Sequence, residues 1–260
     1  MNADFVDIHC HILPGVDDGA SSLADSLEMA AMASADGIRT IIATPHANHE
    51  YPPLPAEEYL QRIANLQEEI DRVHVSLRIL PGADVQITET LVARVRARQI
   101  LTLADTGRYI LLELPHDIYI PIDGLMAELK TIGTRSILSH PERNPGIQAN
   151  LDLLEPLVER GCLLQVTAGS ILGEFGREPQ AVALRLLRHR LVHFVATDAH
   201  SPRYRKPLLR QAYESVSALM EKSYADQIFK QFPAAVADGR PIVIPRPQKP
   251  TRSFLARVFG

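Results

Sequence analysis

Seven short runs rich in valine, isoleucine and leucine alternate along this chain with segments of helical periodicity. Runs that are nearly continuous in apolar residues are typical of parallel strands buried on both faces. A chain that alternates such strands with helices is predicted to be an α/β protein, because the helices cover the faces of the sheet. The predicted strands are residues 5–9, 40–44, 77–80, 109–114, 136–139, 163–167 and 193–197.

Amphipathic segments separate these strands. Residues 22–35 place Leu23, Leu27 and Ala30 near one face and are followed by Gly37, a residue that suits a helix C-terminus. The other predicted helices are residues 57–73, 124–132, 151–159 and 179–190. Strands that are each followed by a helix favour a (β/α) barrel of the TIM type. An open doubly wound sheet is the alternative, because periodicity cannot show whether a sheet closes.

The composition is that of an ordinary globular enzyme, with 46% hydrophobic and 22% charged residues over 260 positions. A net charge of -4 gives no general attraction to nucleic acid or to acidic lipid. Cys10 and Cys162 are too few for a disulfide framework, and no apolar stretch reaches the ~20 residues of a transmembrane helix. The N-terminus lacks the pattern of a signal peptide, so we expect a cytoplasmic protein.

Side chains that bind metals follow almost every predicted strand. His9 and His11 are two residues apart on the first strand and so point to the same side, and the last strand runs into Asp198 and His200. Five more candidates lie in the turns and strand ends between them: Asp18, His46, Asp84, Glu113 and His140. Barrel enzymes assemble their active sites at these C-terminal strand ends. Imidazole and carboxylate ligands without thiolate favour a catalytic site with Zn, Mn or Fe over a structural zinc site.

Other catalytic motifs fit this chain badly. The P-loop pattern and the Gly-x-Ser-x-Gly nucleophile turn are both absent from the sequence. The small residues at positions 167–170 predict either a simple turn or a place where the backbone or the Ser170 hydroxyl approaches an anion. His49 and His116 lie just beyond strand ends; a surface position is the favoured interpretation, and substrate contact is the alternative.

Several motifs together resemble the polymerase-and-histidinol-phosphatase (PHP) superfamily. They are Asp-Ile-His-Cys-His at 7–11, Asp-Asp-Gly at 17–19, Thr-Pro-His at 44–46, His-Pro-Glu-Arg at 140–143 and Thr-Asp-Ala-His at 197–200. Within that superfamily the opening His-Ile-Leu-Pro-Gly-Val-Asp-Asp-Gly-Ala resembles the bacterial manganese-dependent protein-tyrosine phosphatases of the CpsB/CapC/YwqE type. The resemblance extends over residues 4–240 and implies the PHP fold, a distorted (β/α)7 TIM-like barrel with a three-metal site.

The resemblance also implies a role for each candidate residue. The first metal would be held by His9, His11, Asp84 and Asp198, the second by Asp84, Glu113 and His140, and the third by Asp18, His46 and His200. Arg143 and Arg205 match the arginines that grip the phosphate in this family. Asp84 departs from the family pattern, which usually has Glu at the bridging position. A side chain shorter by one methylene is expected to alter the metal spacing or to lower the occupancy.

The function implied by the resemblance is hydrolysis of phosphotyrosine by a metal-activated hydroxide. Mn is the expected cofactor, although Fe, Zn and Co share these ligands. The implied substrate is a bacterial tyrosine kinase that controls capsule or exopolysaccharide synthesis. One alternative is a PHP phosphatase that acts on a small phosphate ester such as histidinol phosphate. Another is a non-catalytic, metal-bearing regulator that binds a kinase.

The sequence predicts one phosphatase domain at residues 1–245 and a basic and apolar tail at 246–260. In the tail, Arg252 and Arg257 flank apolar residues such as Phe254 and Leu255. A frayed terminus is the favoured interpretation. The alternative is that the tail docks on a partner subunit or makes a peripheral membrane contact. Association into a homo-oligomer is left open.

Overall fold

The computed structural model describes residues 4–244. Its strands confirm all seven predicted strands. They are β1 (Phe5–Cys10), β2 (Ile38–Ala43), β3 (His46–Ala47), β4 (Arg78–Pro81), β5 (Asp84–Gln86), β6 (Tyr109–Glu113), β7 (Arg135–Ser139), β8 (Leu163–Thr167) and β9 (Phe194–Ala196). The two short strands β3 and β5 are additional, because the second and third predicted strands each continue into a second piece. The predicted tail and the boundary at residue 245 lie outside the described residues.

Every strand pair is parallel, and the strands form two sheets. One has the order β1-β2-β4 and the other the order β3-β5-β6-β7-β8-β9. The break between β2 and β3 contains Pro45, which has no N–H to donate to a neighbouring strand. The break between β4 and β5 contains Gly82, where a Cβ would lie 2.7 Å from Ile42 Cγ2. These two interruptions distort the barrel on one side.

The first and last strands close the barrel. Cys10 forms an isolated parallel bridge to Ala199, and two backbone hydrogen bonds of 2.8 Å flank it. The buried Asp7 carboxylate accepts the Thr197 N–H at 3.0 Å and the Thr197 hydroxyl at 2.5 Å. A side chain thus replaces part of the backbone ladder between β1 and β9. Closure excludes the open doubly wound sheet and confirms the distorted TIM-like barrel.

Helices cover the outside of the barrel. They are α1 (Leu23–Asp36), α2 (Ala56–Arg72), α3 (Leu91–Arg96), α4 (Asp123–Thr131), α5 (Pro145–Ala149), α6 (Leu154–Glu159), α7 (Ala168–Leu172), α8 (Arg177–Arg188), α9 (Arg210–Leu219), α10 (Lys222–Asp226) and α11 (Phe232–Ala237). The five predicted helices correspond to α1, α2, α4, α6 and α8. The ends of α1 follow the expected chemistry: the Ser22 side chain accepts the Asp25 N–H, and Gly37 has φ of 106°.

The segment around α11 covers the N-terminal ends of the strands. The Tyr109 hydroxyl, at the beginning of β6, donates to the Arg240 carbonyl at 2.9 Å and accepts the Ile242 N–H at 2.9 Å. Val236 of α11 and Ile242 pack in one buried cluster with side chains from six strands. The opposite, C-terminal end of the barrel therefore holds the open mouth. Within residues 4–244, no helix combines the length and apolar character needed to cross a membrane.

Candidate metal centre

All nine side chains predicted as metal ligands meet at the C-terminal mouth of the barrel. Their ligand atoms form four overlapping groups, and within each group the atoms lie within 4.8 Å of one another. The groups are His11, Asp18, His46 and His200; His9, His11 and Asp84; His9, His140 and Asp198; and His46, Asp84 and Glu113. Asp18 is exposed and His46 is partly buried, whereas the other seven are buried. The cluster is therefore largely shielded from solvent and open at one side.

The grouping agrees in part with the three ligand sets implied by the resemblance. Asp18, His46 and His200 fall together as the third set requires, with His11 beside them. The His140 Nε2 lies 3.6 Å from Glu113 Oε1 and 4.0 Å from Asp84 Oδ2, which brings the second set together. How the nine side chains divide among individual ions stays a prediction.

Asp84 has a central place in this cluster. At the beginning of β5, its Oδ2 lies 3.6 Å from His9 Nε2 and 3.5 Å from His46 Nδ1. Asp84 thus belongs to two of the four groups, so the shorter carboxylate still reaches both sides of the cluster. Burial, reinforced by the nearby Glu113, raises the pKa of Asp84 well above its usual value.

Unpaired polar atoms in the cluster fit a bound cation. Among residues 4–244, neither oxygen of Asp84 has a hydrogen-bond partner, and the same holds for His46 Nδ1 and His200 Nε2. Buried polar atoms without partners destabilise a fold, and a buried carboxylate does so most strongly. Divalent cations bound by oxygen and imidazole nitrogen satisfy this donor set. The side chains present therefore fit the metals that the sequence predicts.

Two residues outside the predicted ligand set orient the first two histidines. His11 Nδ1 lies 2.7 Å from Asp17 Oδ2, and His9 Nδ1 lies 2.9 Å from Gln165 Oε1. A ring whose Nδ1–H donates to such an oxygen presents its Nε2 lone pair for coordination. Asp17 is visible in the Asp-Asp-Gly motif, but nothing in the sequence links Gln165 on β8 to a histidine on β1.

The Asp-Asp-Gly turn requires its glycine. A Cβ on Gly19 would lie 2.3 Å from the His11 carbonyl oxygen and 2.9 Å from Asp17 Oδ1. In this close arrangement the Gly19 N–H donates to Asp17 Oδ1 at 3.0 Å, and the His46 N–H donates to Asp17 Oδ2 at 2.9 Å. The turn after β1 is thereby fixed to the beginning of β3, and His11 and His46 are held on facing sides of one group.

The pKa values of His9 and His11 move in opposite directions. Burial lowers the pKa of His9 to about 3. Burial acts on His11 in the same way, but its hydrogen bonds with Asp17 and Asp198 outweigh it and raise the pKa to about 10. For Asp198, burial acts to raise the pKa, whereas His9 and Arg143 hold it well below its usual value. The protein therefore keeps an ionised carboxylate between imidazole and guanidinium groups.

Arg143 and Arg205 meet on one side of this carboxylate. Arg143 Nη1 donates to Asp198 Oδ2, and Arg205 Nη2 lies 2.5 Å from the same oxygen. The other oxygen, Asp198 Oδ1, lies 3.2 Å from His9 Nε2 and 3.4 Å from His11 Nε2. Asp198 thus lies between the two histidines and the two guanidinium groups, which are 20% and 26% exposed at the mouth.

The backbone at the mouth is strained where three of these residues lie. His140 has φ of 31°, and Asp198 and Arg205 both have φ of 51°. Non-glycine residues with positive φ are uncommon and are concentrated at functional sites. The His200 N–H donates to the Arg205 carbonyl at 2.9 Å, which folds the loop after β9 back over the mouth. This loop brings Arg205 to the site although it follows β9 by several residues.

The predicted approach of the Ser170 hydroxyl to a bound anion is not what the structure shows. The Ser170 hydroxyl is buried and donates to Glu142 Oε1 at 2.7 Å, and the Thr167 N–H donates to the same oxygen at 2.9 Å. Glu142 is part of the His-Pro-Glu-Arg motif and is itself fully buried. Its carboxylate thus fixes the loop after β7, which carries Arg143, to the end of β8.

His49 and His116 are exposed, as the favoured interpretation predicted. With Asp18, His46 and Glu113 they line a cavity of about 430 Å³ that opens beside the cluster. Their position keeps contact with a substrate as an open hypothesis. Cys10 and Cys162 are both free and buried, and both pack in the hydrophobic core.

Residues 5–238 match a protein family described as "Capsular polysaccharide synthesis, CpsB/CapC". The chain belongs to the CpsB/CapC family. The resemblance seen in the sequence motifs is confirmed. This CpsB/CapC protein is 39% identical over 225 residues to "Tyrosine-protein phosphatase YwqE" of Bacillus subtilis (strain 168), and the match covers 86% of each chain. It is 28% identical over 237 residues to "Tyrosine-protein phosphatase CpsB" of Streptococcus pneumoniae, covering 89% and 97% of the two chains.

The fold of this CpsB/CapC protein is also that of a solved relative. Superposition gives a TM-score of 0.87 at 37% sequence identity and covers 95% of this chain and all of the other. That work is described as "Crystal structures of YwqE from Bacillus subtilis and CpsB from Streptococcus pneumoniae, unique metal-dependent tyrosine phosphatases". Agreement over nearly the whole chain shows that the PHP-type barrel is common to both.

Proposed function

We propose that this CpsB/CapC protein is a metal-dependent protein-tyrosine phosphatase, a phosphoric monoester hydrolase. The observation that carries the proposal is the convergence of nine ligand-type side chains beside two guanidinium groups. The names of the relatives, which are tyrosine-protein phosphatases, support the same substrate class. We take the ions to be Mn, and the physiological substrate to be a bacterial tyrosine kinase of capsule or exopolysaccharide synthesis.

The four overlapping groups of His, Asp and Glu would hold the ions, with each of His9, His11, His46 and Asp84 shared by two groups. Bound divalent cations lower the pKa of water and neutralise the charge of phosphoryl oxygens. Gln165 and Asp17 would keep His9 and His11 in the tautomer that presents Nε2. Ligands held in this way need little rearrangement, which favours tight binding.

The two arginines would bind the phosphoryl group of the substrate. Their guanidinium forks match phosphate oxygens and provide two parallel N–H donors each. Both now contact Asp198 Oδ2, so they lie at the boundary between the candidate ligands and the mouth. A phosphate that enters between the two arginines and the cluster would replace Asp198 Oδ2 as the partner of both guanidinium groups. Charge that develops on those oxygens would meet donors already in place.

The leaving group of phosphotyrosine needs little help from the protein. Its phenolate has a pKa near 10, well below that of an alkoxide, so protonation is less important for departure. The cavity of about 430 Å³ beside His46 and Glu113 would receive the tyrosine ring with the phosphate directed into the cluster. His49 and His116 line the same cavity and would lie near the peptide.

Steady-state kinetics with a phosphotyrosyl peptide and with histidinol phosphate test the substrate class. We expect a kcat/KM at least tenfold higher for the peptide, which corresponds to about 1.4 kcal/mol of differential transition-state binding. Asp84→Asn protein, which loses a carboxylate shared by two groups, should be inactive on both. A preference for histidinol phosphate would refute the proposal in favour of a phosphatase for small esters.

A further inference from the structure

Phe175, in the loop between α7 and α8, lies against both arginines of the mouth. The Arg143 Cζ is 4.9 Å from the centroid of the Phe175 ring, and the Arg205 Cζ is 5.9 Å from it. A guanidinium within about 6 Å of a ring centroid is attracted by the negative face of the ring. One aromatic side chain therefore contacts two cations that come from different loops.

This contact matters because the two guanidinium groups share one counter-ion. Arg143 donates to Asp198 Oδ2 and Arg205 lies against the same oxygen, which brings two positive charges close together. A single carboxylate neutralises only one of them, and the pair is only 20% and 26% exposed, so water screens the repulsion incompletely. The face of the Phe175 ring supplies a second region of negative potential to both groups.

The loop is built to place this ring. Gly173 and Gly176 have φ of 84° and 95°, conformations that favour glycine, and they bracket Phe175 closely. A Cβ on Gly169 would lie 2.8 Å from Phe175 Cε2 and 2.7 Å from Glu174 Oε2. The Glu174 N–H donates to the Gly169 carbonyl at 2.9 Å. The small residues after β8 thus make room for the aromatic ring.

We infer that Phe175 is a positioning residue for phosphate binding, which holds the guanidinium groups of Arg143 and Arg205 side by side at the mouth. The inference rests on the proposed function, because it assumes that the two arginines bind phosphate. When a phosphate replaces Asp198 Oδ2 as their partner, the ring remains in contact with both groups. The pair is thereby preorganised, and less freedom is lost when the phosphate binds.

Phe175→Leu and Phe175→Tyr separate this role from simple packing. Leucine keeps apolar volume but has no aromatic face, so we expect the affinity for inorganic phosphate, measured by calorimetry on Mn-loaded protein, to fall about tenfold. Tyrosine keeps the face and should bind phosphate within about twofold of the wild type. Phe232→Leu, an aromatic-to-leucine change in α11 away from the mouth, serves as the control and should leave the affinity unchanged.

Thermal melting and metal content must first show that each variant is folded and loaded. If Phe175→Leu fails this check, a fluorinated phenylalanine at position 175 keeps the shape and weakens the negative face, and phosphate affinity should then fall. Wild-type affinity in the folded Leu variant or in the fluorinated protein would overturn the inference. So would a Tyr variant as weak as the Leu variant.

A double-mutant cycle tests whether Phe175 acts through the arginines. In protein that carries Arg143→Ala and Arg205→Ala, Phe175→Leu should change kcat/KM for p-nitrophenyl phosphate by less than about twofold. A larger loss in that background would show that the ring contacts the substrate or supports the fold instead. The calorimetric measurement of phosphate affinity does not require turnover, so a wild type inactive on phosphotyrosyl peptides would refute the proposed function and leave that test of Phe175 intact.

Discussion

Replacing Asp17 by Asn should weaken metal binding without removing any predicted ligand. The Asp17 side chain is fully buried, and its two oxygens accept from His11 Nδ1 at 2.7 Å, from the His46 N–H at 2.9 Å and from the Gly19 N–H at 3.0 Å. Both oxygens are acceptors, but an asparagine amide offers one oxygen and one NH2 group. At least one of the three groups that donate to Asp17 must therefore face the NH2 group of the asparagine. The negative charge beside His11 is also lost.

The expected size of this effect follows from those contacts. Losing a hydrogen bond to a charged group costs about 1.5–3 kcal/mol, and removing a partner that orients a ligating histidine typically costs about 10–100-fold in metal affinity. Calorimetric titration with Mn should therefore give a dissociation constant raised by one to two orders of magnitude. Asp152→Asn, at a side chain that is 92% exposed, is the matched control and should bind as the wild type does. Equal Mn affinity in the wild type and in folded Asp17→Asn protein would refute the orienting role.

Three further predictions test other parts of the account. Arg143→Ala or Arg205→Ala should lower kcat/KM by roughly one to two orders of magnitude with metal content near wild type, and lysine should restore only part of the loss. An unaltered kcat/KM, or loss of the metals, would show that their role is different. Gly19→Ala should destabilise the protein by about 1–3 kcal/mol in urea titrations, because its Cβ would meet the backbone, whereas Gly124→Ala, with nothing within 4 Å, should not. His193 provides a test of pH-dependent stability. Burial lowers its pKa in the folded protein to about 3. As the pH falls below 6.5, this imidazole therefore gains a proton in the unfolded chain but not in the folded protein, and the free energy of unfolding decreases. From pH 7 to 5.5, in EDTA, the wild type should lose about 1 kcal/mol more unfolding free energy than His193→Asn, and equal losses would contradict the neutral buried state.

The strands of the barrel could be predicted because their burial on both faces leaves a direct trace in the sequence. Runs such as Tyr109–Glu113 have no polar alternation, and almost every one ends near a His, Asp or Glu. The five predicted helices, α1, α2, α4, α6 and α8, could be found through their apolar faces. Helices α3, α5, α7, α9, α10 and α11 have no counterpart among the predicted helices. Closure of the barrel also has no local signature in the sequence, because it depends on a contact between Asp7 and Thr197, which are far apart in the chain.

The candidate ligands could be predicted for a related reason. Parallel strands place their C-terminal ends at one edge, so residues such as His140 and Asp198 had to meet if the sheet closed. The side chains that support them could not be found in this way. Gln165 reaches His9 across 156 positions, and Phe175 reaches two arginines from a loop. The partner of Ser170 could not be predicted either, because Glu142 is brought close to it only by the fold.

The measurement that tests the central claim most directly is metal-dependent turnover of a phosphotyrosyl peptide by anaerobically purified protein. Metal content should be determined on the same sample, before and after treatment with EDTA. We predict that chelation abolishes turnover and that added Mn restores it, because we propose that the nine converging side chains hold divalent cations. Full turnover by protein shown to be free of metal would contradict the account.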